Sequence, residues 1–213
     1  MLAFFLTLRC LLLVPVGAVD AQQFTVSTHY DDDRDVFVTT GQLKLPVSLE
    51  RVTRFAAEFG QYRDWALKGI NQKASGRSFI VQLRDLSYVA GKPSRHGHFI
   101  VKFDVDLVWP FKERDSQIKF KLDRLRRHGQ DGVDMMALSL YGESRFIRAF
   151  DLVLSAMPQA NGSAVSFRSE VELSPVVDTF FPLSVYRRNI EYRIAKVILN
   201  IHRHLVTDGT KSQ

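Results

Sequence analysis

Residues 109–115 read Trp-Pro-Phe-Lys-Glu-Arg-Asp and separate two segments, 99–108 and 117–125, in which apolar and polar residues alternate. Alternation with a period of two is typical of β-strands that bury one face. Pro110 cannot donate a hydrogen bond to a neighbouring strand, so it belongs at a strand end or a bulge. The stretch therefore predicts a corner between two antiparallel strands, with the pair Arg114 and Asp115 at that corner.

The alternating pattern continues on both sides of this corner. Each predicted strand has one polar face, which indicates an antiparallel sheet with one solvated side. The pair Asn161 and Gly162 is typical of a type I′ hairpin turn. The further strands predicted in this way are 36–45, 78–83, 133–141, 145–156 and 165–173.

Apolar residues at helical spacing predict three helices. Ser48 is a candidate N-cap for a helix that runs to residue 59, and residues 61–67 form a second short helix or turn that carries Trp65. One apolar stripe then extends from Leu183 to Leu205, after Pro182 in the first turn. A helix of some 25 residues spans about 37 Å, enough to cross a whole sheet.

The predicted order is one strand, two short helices, six strands and a long helix. Helices on one face of an antiparallel sheet define an α+β domain. This order is that of the helix-grip fold, in which a curved sheet of about seven strands wraps the C-terminal helix and leaves a cavity between them.

The first residues have the pattern of a signal peptide. An apolar run of about ten residues, 10–19, is too short to span a bilayer, and small residues at 19–21 favour cleavage after Ala21. We expect a signal peptide at 1–21, an irregular arm at 22–35, one domain at 36–206 and a tail at 207–213. Export then implies the periplasm in a bacterium and the secretory pathway otherwise.

Composition narrows the range of partners. The chain has 213 residues, 46% hydrophobic and 24% charged, with a net charge of +6, as expected of a globular domain with a basic surface. Cleavage removes Cys10, the single cysteine, so the mature chain has no disulfide. Basic residues at 124–127 and on the last helix are either a solvated surface or a docking surface for anionic membranes. We expect a monomer that binds no nucleic acid.

The order Trp-Pro-x-x-x-Arg-Asp at 109–115 resembles the START domains, a lipid-binding branch of the helix-grip proteins. The passage from Leu45 to Trp65, with a proline before the first helix, and the opening of the last helix at 181–186 are similar to theirs. The resemblance covers nearly all of the mature chain. It implies a lipid, sterol or other apolar ligand in the cavity, a long helix that acts as a gate, and no bound cofactor. For an exported chain it implies lipid transfer between membranes.

The candidate cavity residues are mostly aromatic and branched side chains on the inward faces. The alternative for each is that it packs in the hydrophobic core and contacts no ligand. Arg148 either anchors a polar group of the ligand or points to solvent, with Ile147, Ala149 and Val153 inward instead. The residues of the corner motif are Trp109, Pro110, Arg114 and Asp115. Of these, Arg114 and Asp115 either shape the mouth of the cavity or form a structural ion pair at the corner. The cavity candidates are Trp65, Phe79, Phe99, Val101, Phe103, Trp109, Phe120, Arg148, Phe150, Phe167, Tyr186, Ile190 and Ile194.

Two other functions remain open from the sequence. No glycine-rich phosphate loop, serine elbow or nucleophile with a neighbouring base is present, so we assign no catalytic residue. The pairs His96 and His98, and His202 and His204, lack a third ligand, so we expect no metal site. An enzyme of the cyclase or hydratase type acting in the same cavity is the alternative, and an interaction module with a closed cavity is a third possibility.

Overall fold

One antiparallel sheet and a long C-terminal helix account for most of what the computed structural model describes, which is residues 24–71, 81–91, 97–106, 112–123, 127–128, 132–175, 177 and 183–207. The predicted signal peptide, residues 1–21, lies outside these ranges, as do the candidate residues Phe79, Trp109 and Pro110.

The sheet contains eight strands in a continuous order, β1-β2-β9-β8-β7-β5-β4-β3, with a two-residue ninth strand, β6, paired to β7. All of these pairs are antiparallel, and the α+β class predicted from the order of elements is confirmed. The strands are β1 Phe24–Asp31, β2 Val36–Leu45, β3 Val81–Val89, β4 His98–Asp106, β5 Lys112–Asp123, β6 Arg127–His128, β7 Gly132–Leu140, β8 Ile147–Gln159 and β9 Gly162–Leu173. The helices are α1 Leu49–Ala57, α2 Tyr62–Trp65 after a 3-10 turn at Phe59–Gln61, and α3 Leu183–His202, which continues as a π-helical turn over Arg203–Thr207.

The predicted irregular arm at 22–35 is wrong, because Phe24–Asp31 is an edge strand paired along its full length with β2. With this strand the continuous order of the sheet has eight strands, whereas about seven were predicted. Its inward positions are Phe24, Val26, Thr28 and Tyr30, so a polar residue interrupts the apolar series. Thr28 is nevertheless fully buried, and its hydroxyl lies 3.1 Å from the Thr39 hydroxyl on β2. A paired hydroxyl can occupy a core position without leaving an unsatisfied polar group.

The hairpin between β8 and β9 also differs from the prediction. Gln159 pairs with Gly162, so the two loop residues are Ala160 and Asn161, and both keep negative φ, whereas a type I′ turn needs positive φ at both. Gly162 itself has φ of 140°, and a Cβ there would lie 2.0 Å from the carbonyl oxygen of Leu45. Glycine is therefore required after the turn.

Helices α1 and α2 fill one end of the sheet with aromatic side chains. The predicted N-cap is confirmed, since Ser48 Oγ accepts a hydrogen bond from the Arg51 backbone N–H at 3.3 Å. The Phe99 ring on β4 lies 5.8 Å from Phe59 and 5.6 Å from Tyr62, centroid to centroid. This cluster of ring contacts anchors the short helices to the sheet.

Helix α3 lies across the sheet and is tied down on both sides. The backbone N–H of buried Thr28 donates to Glu191 Oε1 at 2.9 Å, which fixes the helix to β1. Near the other end of the helix, Asn200 Nδ2 donates to the carbonyl oxygens of Trp65 and Lys68, both at 2.9 Å. Among the described residues, no helix combines the length and hydropathy needed to cross a bilayer.

Candidate functional site: an apolar cavity beneath the C-terminal helix

A cavity of about 240 Å³ lies between the first half of α3 and the end of the sheet away from α1 and α2. It is partly open. Its described walls come from β3, β4, β5, Phe146, β8, β9, Val177 and α3. The lining residues are Val81, Leu83, Val101, Phe103, Val105, Ile118, Phe120, Phe146, Ile147, Phe150, Val171, Leu173, Val177, Tyr186, Asn189, Ile190 and Arg193.

Strand β4 shows how one sheet face is packed at one end and hollow at the other. Phe99 is enclosed by aromatic rings from the short helices and from β3, whereas Val101, Phe103 and Val105 on the same face border the cavity. The cavity walls are braced by aromatic pairs along the sheet, with Phe103 and Phe146 5.0 Å apart. Among the described residues, the first half of α3 and Val177 face the sheet at this far end.

A β-bulge in β8 settles the orientation of Arg148. Ile147 pairs with Leu173 and Ala149 pairs with Glu172, so Arg148 is an extra residue with no partner in the register. The bulge lets both Ile147 and Phe150 face the cavity, although their spacing does not fit simple alternation. Arg148 instead points to solvent, where it forms an ion pair with Glu172 at 3.3 Å. It does not line the cavity, as the solvent-facing alternative expected. The inward set of that alternative is only partly right, because Ile147 lines the cavity whereas Val153 is exposed.

The structure brings six of the predicted cavity residues together and separates the others. Trp65, Phe99, Phe167 and Ile194 lie on inward faces but belong to the packed core at the α1 and α2 end, so they do not line the cavity. Inward orientation alone does not distinguish the two ends of the sheet. Phe79 and Trp109 lie outside the described residues. The six that line the cavity are Val101, Phe103, Phe120, Phe150, Tyr186 and Ile190.

The predicted position of Arg114 and Asp115 at a corner between strands is wrong, because both lie within β5, at an irregularity in its pairing with β4, where they take part in an ion-pair network. Asp104 is 2% exposed, and its Oδ1 accepts the backbone N–H of Asp115 at 3.1 Å, while Arg84 Nε donates to its Oδ2 at 2.6 Å. Asp115 has φ of 53°, and Arg114 lies 3.9 Å from Asp104 and 3.8 Å from Asp106. The hydrogen bonds from Arg84 and from the Asp115 N–H hold the pKa of Asp104 below its usual value. Arg114 and Asp115 therefore stabilise the irregular pairing of β4 and β5, and neither is among the lining residues of the cavity.

The cavity has three polar side chains among its described lining, and all three come from α3. Burial raises the pKa of Tyr186, so its hydroxyl stays protonated at neutral pH. Its ring packs 4.0 Å from Phe37 on β2. Asn189 Nδ2 donates to the Val185 carbonyl at 2.7 Å, which leaves the amide oxygen as an acceptor.

Arg193 is the third polar group and the single formal charge among the described lining residues. One of its terminal nitrogens, Nη2, donates to the carbonyl oxygen of Val81 on the edge strand β3. Burial lowers its pKa to about 10, so it remains protonated at neutral pH. Asn189 and Arg193 were missed in the sequence, although Asn189 lies three residues after Tyr186 and Arg193 four residues after Asn189, so all three share one helix face.

The cavity walls are suited to surrounding an apolar molecule that carries a polar group. The described lining contains no carboxylate and no histidine. Within the described ranges, no group of three or more potential metal ligands comes together.

Known structures share this architecture at low sequence identity. The STAR-related lipid transfer protein from Xanthomonas axonopodis superposes with a TM-score of 0.56 at 13% identity, over 88% of this chain and 96% of that chain. A START superfamily protein from Mycobacterium smegmatis gives 0.50 at 10% identity, over 79% and 96%. The di-domain ARO/CYC StfQ from the steffimycin biosynthetic pathway gives 0.50 at 10% identity, over 84% of this chain and 54% of that chain.

Neither a protein-family model nor a curated protein sequence matches the chain. At these identities the structural likeness concerns the fold alone. The order of strands, the curved sheet and the helix that covers it identify this chain as having the START-like helix-grip fold.

Proposed function

We propose that this protein binds an apolar small molecule, a lipid or a lipid-like compound, in the cavity beneath α3 and carries it between membranes. The observation that supports the proposal most is the cavity itself, about 240 Å³ in volume and walled by branched and aromatic side chains. Concave, mostly apolar sites with a few polar groups are the usual form of small-molecule sites.

The size of the cavity favours a small or single-chain ligand. Its volume is below the range of about 300–1,000 Å³ that is usual for ligand pockets. A chain that buries about 300 Å² of apolar surface gains about 7.5 kcal/mol, at about 25 cal/mol per Å². That value is below the 8.2 kcal/mol of a micromolar complex. The apolar contacts alone therefore give reversible binding, as a carrier that releases its ligand requires.

A bulkier lipid requires α3 to move away from the sheet. Glu191 ties the helix to β1 through the Thr28 N–H, and Arg193 ties it to β3 through the Val81 carbonyl. Near its C-terminal end the helix is also held by Asn200, whereas the cavity lies between its first half and the sheet. We propose that the first half of α3 is the gate.

The start of α3 is a suitable surface for contact with a membrane. Leu183 is 45% exposed at the first position of the helix, three residues before Tyr186 in the cavity lining. Arg188 is exposed one turn further on, and the whole chain carries a net charge of +6. An exposed leucine beside basic residues favours anionic lipid headgroups. Export of the mature chain, residues 22–213, as a monomer remains part of this proposal.

An enzyme of the cyclase or hydratase type is the second candidate. The fold likeness to StfQ keeps it open, because the same fold hosts different functions. Acid–base catalysis needs ionisable groups that converge on the substrate. The described lining offers one arginine and one tyrosine, whose pKa is raised by burial, so the carrier has the stronger support.

Native mass spectrometry of residues 22–213, purified gently from lipid-containing cells, tests the proposal. We expect a stoichiometric apolar adduct that is lost in Ile190→Asp, in the cavity wall, and kept in Val153→Asp, at an exposed position on β8. Val101→Phe, which fills the cavity without adding charge, should weaken the adduct in a folded protein. A clean mass in the wild type, with no uptake from a lipid panel, would refute the carrier.

A further inference from the structure

Two polar groups of the cavity lining have no hydrogen-bond partner within the described part of the protein. The hydroxyl of Tyr186 makes no hydrogen bond there, and burial is the cause of its raised pKa. The Asn189 amide nitrogen donates to the Val185 carbonyl oxygen at 2.7 Å, and its amide oxygen receives no donor from the described residues. Because a carbonyl oxygen only accepts, this contact fixes which end of the Asn189 amide is the oxygen.

The third polar group of the described lining, Arg193, is engaged by the protein itself. Its Nη2 donates to the Val81 carbonyl, and the residue takes part in a further interaction within the protein. Arg193 is therefore part of the cavity wall, where it joins α3 to β3. The hydrogen-bonding capacity that the described lining offers to a ligand comes from Tyr186 and Asn189.

Tyr186 and Asn189 are neighbours on one face of α3. Three residues correspond to about 4.5 Å along the helix axis, and side chains at this spacing have Cβ atoms about 5–6 Å apart. The phenolic O–H of Tyr186 is a donor, and the amide oxygen of Asn189 is an acceptor. A hydroxyl group accepts one hydrogen bond and donates another, so it complements both residues.

We infer that the ligand is a neutral amphiphile whose hydroxyl accepts a hydrogen bond from Tyr186 and donates one to the amide oxygen of Asn189, with its apolar part against Val101 and Phe103. The inference rests on the proposed function, because it assumes that the cavity is occupied. A polar group that is shut into an apolar cavity without a partner is costly. A ligand that pairs both groups is therefore favoured over a hydrocarbon of the same size.

Other head groups complement this pair less well. A carboxylate accepts hydrogen bonds and has no proton to donate to the Asn189 oxygen. An ammonium donates to Asn189 but cannot accept from Tyr186, and it places a positive charge in a cavity whose described lining already contains Arg193. An ether oxygen accepts from Tyr186 and donates nothing.

A purely structural role for Asn189 gives a different expectation. If its amide serves only to bind the Val185 carbonyl, its replacement changes the stability of α3 and leaves the preference between ligands unchanged. The same holds if water alone satisfies the two polar groups. The decisive quantity is therefore the ratio of the affinities of two ligands that differ only in their ability to donate a hydrogen bond.

The experiment uses displacement of pyrene, a fluorescent hydrocarbon without hydrogen-bonding groups, from residues 22–213 at neutral pH. The competitors are 1-decanol, its isomer 1-methoxynonane, which accepts a hydrogen bond but donates none, and decanoate. We expect 1-decanol to bind about fivefold more tightly than 1-methoxynonane, which is the usual value of one neutral hydrogen bond. Decanoate should also bind more weakly than 1-decanol.

Two variants assign the two hydrogen bonds separately. Asn189→Leu should bind pyrene with little change and bind the two isomers within about twofold of each other. Tyr186→Phe keeps the ring that packs on Phe37, so it should bind both isomers about fivefold more weakly and retain the preference for 1-decanol. Tyr141→Phe is the matched control at a position that is 55% exposed and outside the described lining, and it should change neither affinity.

Each outcome has a distinct meaning. Equal affinities of the wild type for the two isomers overturn the hydroxyl assignment and leave the apolar carrier standing. Tighter binding of decanoate than of 1-decanol overturns it in favour of an anionic head group. A full preference for 1-decanol in Asn189→Leu overturns the role of that residue, and if this variant does not fold, the wild type and Tyr186→Phe still decide the question. Failure of the wild type to bind pyrene or any competitor overturns this inference and the proposed function together.

Discussion

Replacing Phe99 by alanine should destabilise the ligand-free protein clearly more than replacing Phe103 by alanine. The two residues lie on the same face of β4, and their exposed fractions are 2% and 4%. The rings of Phe59, Tyr62 and Tyr88 surround Phe99 at 5.8, 5.6 and 5.2 Å, centroid to centroid. Phe103 borders the cavity and packs against the Phe146 ring at 5.0 Å. Because Phe99 and Phe103 are about equally buried but differently packed, a difference in stability between their alanine variants reports on the packing around each ring.

The expected magnitude follows from these contacts. A Phe→Ala change in a packed core costs about 3–5 kcal/mol, and each aromatic pair contributes about 0.5–1.5 kcal/mol beyond burial. Among the described residues, Phe99 has two more aromatic pairs than Phe103. These pairs correspond to a difference of about 1–3 kcal/mol in the free energy of unfolding between the two variants. For a chain of this length that difference is a gap of about 2–12 °C in Tm.

Urea unfolding of both delipidated variants measures this difference, provided that the m-value is unchanged. Ligand binding should show the reverse order, with Phe103→Ala altered more than Phe99→Ala. Equal destabilisation of the two variants, or a larger loss in Phe103→Ala, would refute the division of the sheet into a packed end and a hollow end.

Three further predictions concern the contacts around the cavity. Glu191→Ala should cost about 1–3 kcal/mol in urea unfolding because it leaves the buried Thr28 N–H without its acceptor, whereas Glu191→Gln should retain most of the stability. The hydrogen bond from Arg84 lowers the pKa of Asp104 in the folded protein below its pKa in the unfolded chain. The ionised carboxylate therefore stabilises the fold at pH values above the unfolded-state pKa, and this stabilisation is lost as the pH falls through the folded-state pKa. The stability of Asp104→Asn should therefore depend less on pH than that of the wild type below about pH 4. Arg148→Met should change ligand affinity less than twofold and stability by less than about 0.5 kcal/mol, since its side chain faces solvent. A selective loss of affinity in this variant would contradict the placement of the bulge.

Periodicity was sufficient to locate seven of the strands and the long helix, and the residue type at Ser48 predicted the N-cap, because each depends on residues that are close in sequence. The bounds of two strands differ from those predicted, since β3 is Val81–Val89 and β5 is Lys112–Asp123. The edge strand β1 also alternates, but Thr28 replaces an apolar residue at an inward position and the acidic turn follows directly. Its burial depends on Thr39, on the neighbouring strand, so the local pattern could not show it.

The site was harder to predict than the fold. A period of two identifies the face of a strand and gives no measure of how far along the sheet the short helices extend, so Phe99 and Phe103 look alike in the sequence. At residues 146–150 two apolar residues are followed by Arg148 and then by two more, and this break in alternation is the signal of the bulge. The basic residues of the last helix, Arg193 among them, were predicted to form either a solvated or a membrane-docking surface, and no role was predicted for Asn189. The approach of both side chains to the cavity depends on the rotation of α3 over the sheet.

The central claim is that the space beneath α3 holds the ligand. Isotope-filtered NOE spectroscopy on methyl-labelled protein, loaded with an unlabelled apolar ligand, tests it most directly. The account predicts intermolecular NOEs to the methyl groups of Val101, Ile118 and Ile190, which line the cavity from β4, β5 and α3. NOEs confined to an exposed methyl group such as Val153, or none at all at saturating ligand, would contradict it.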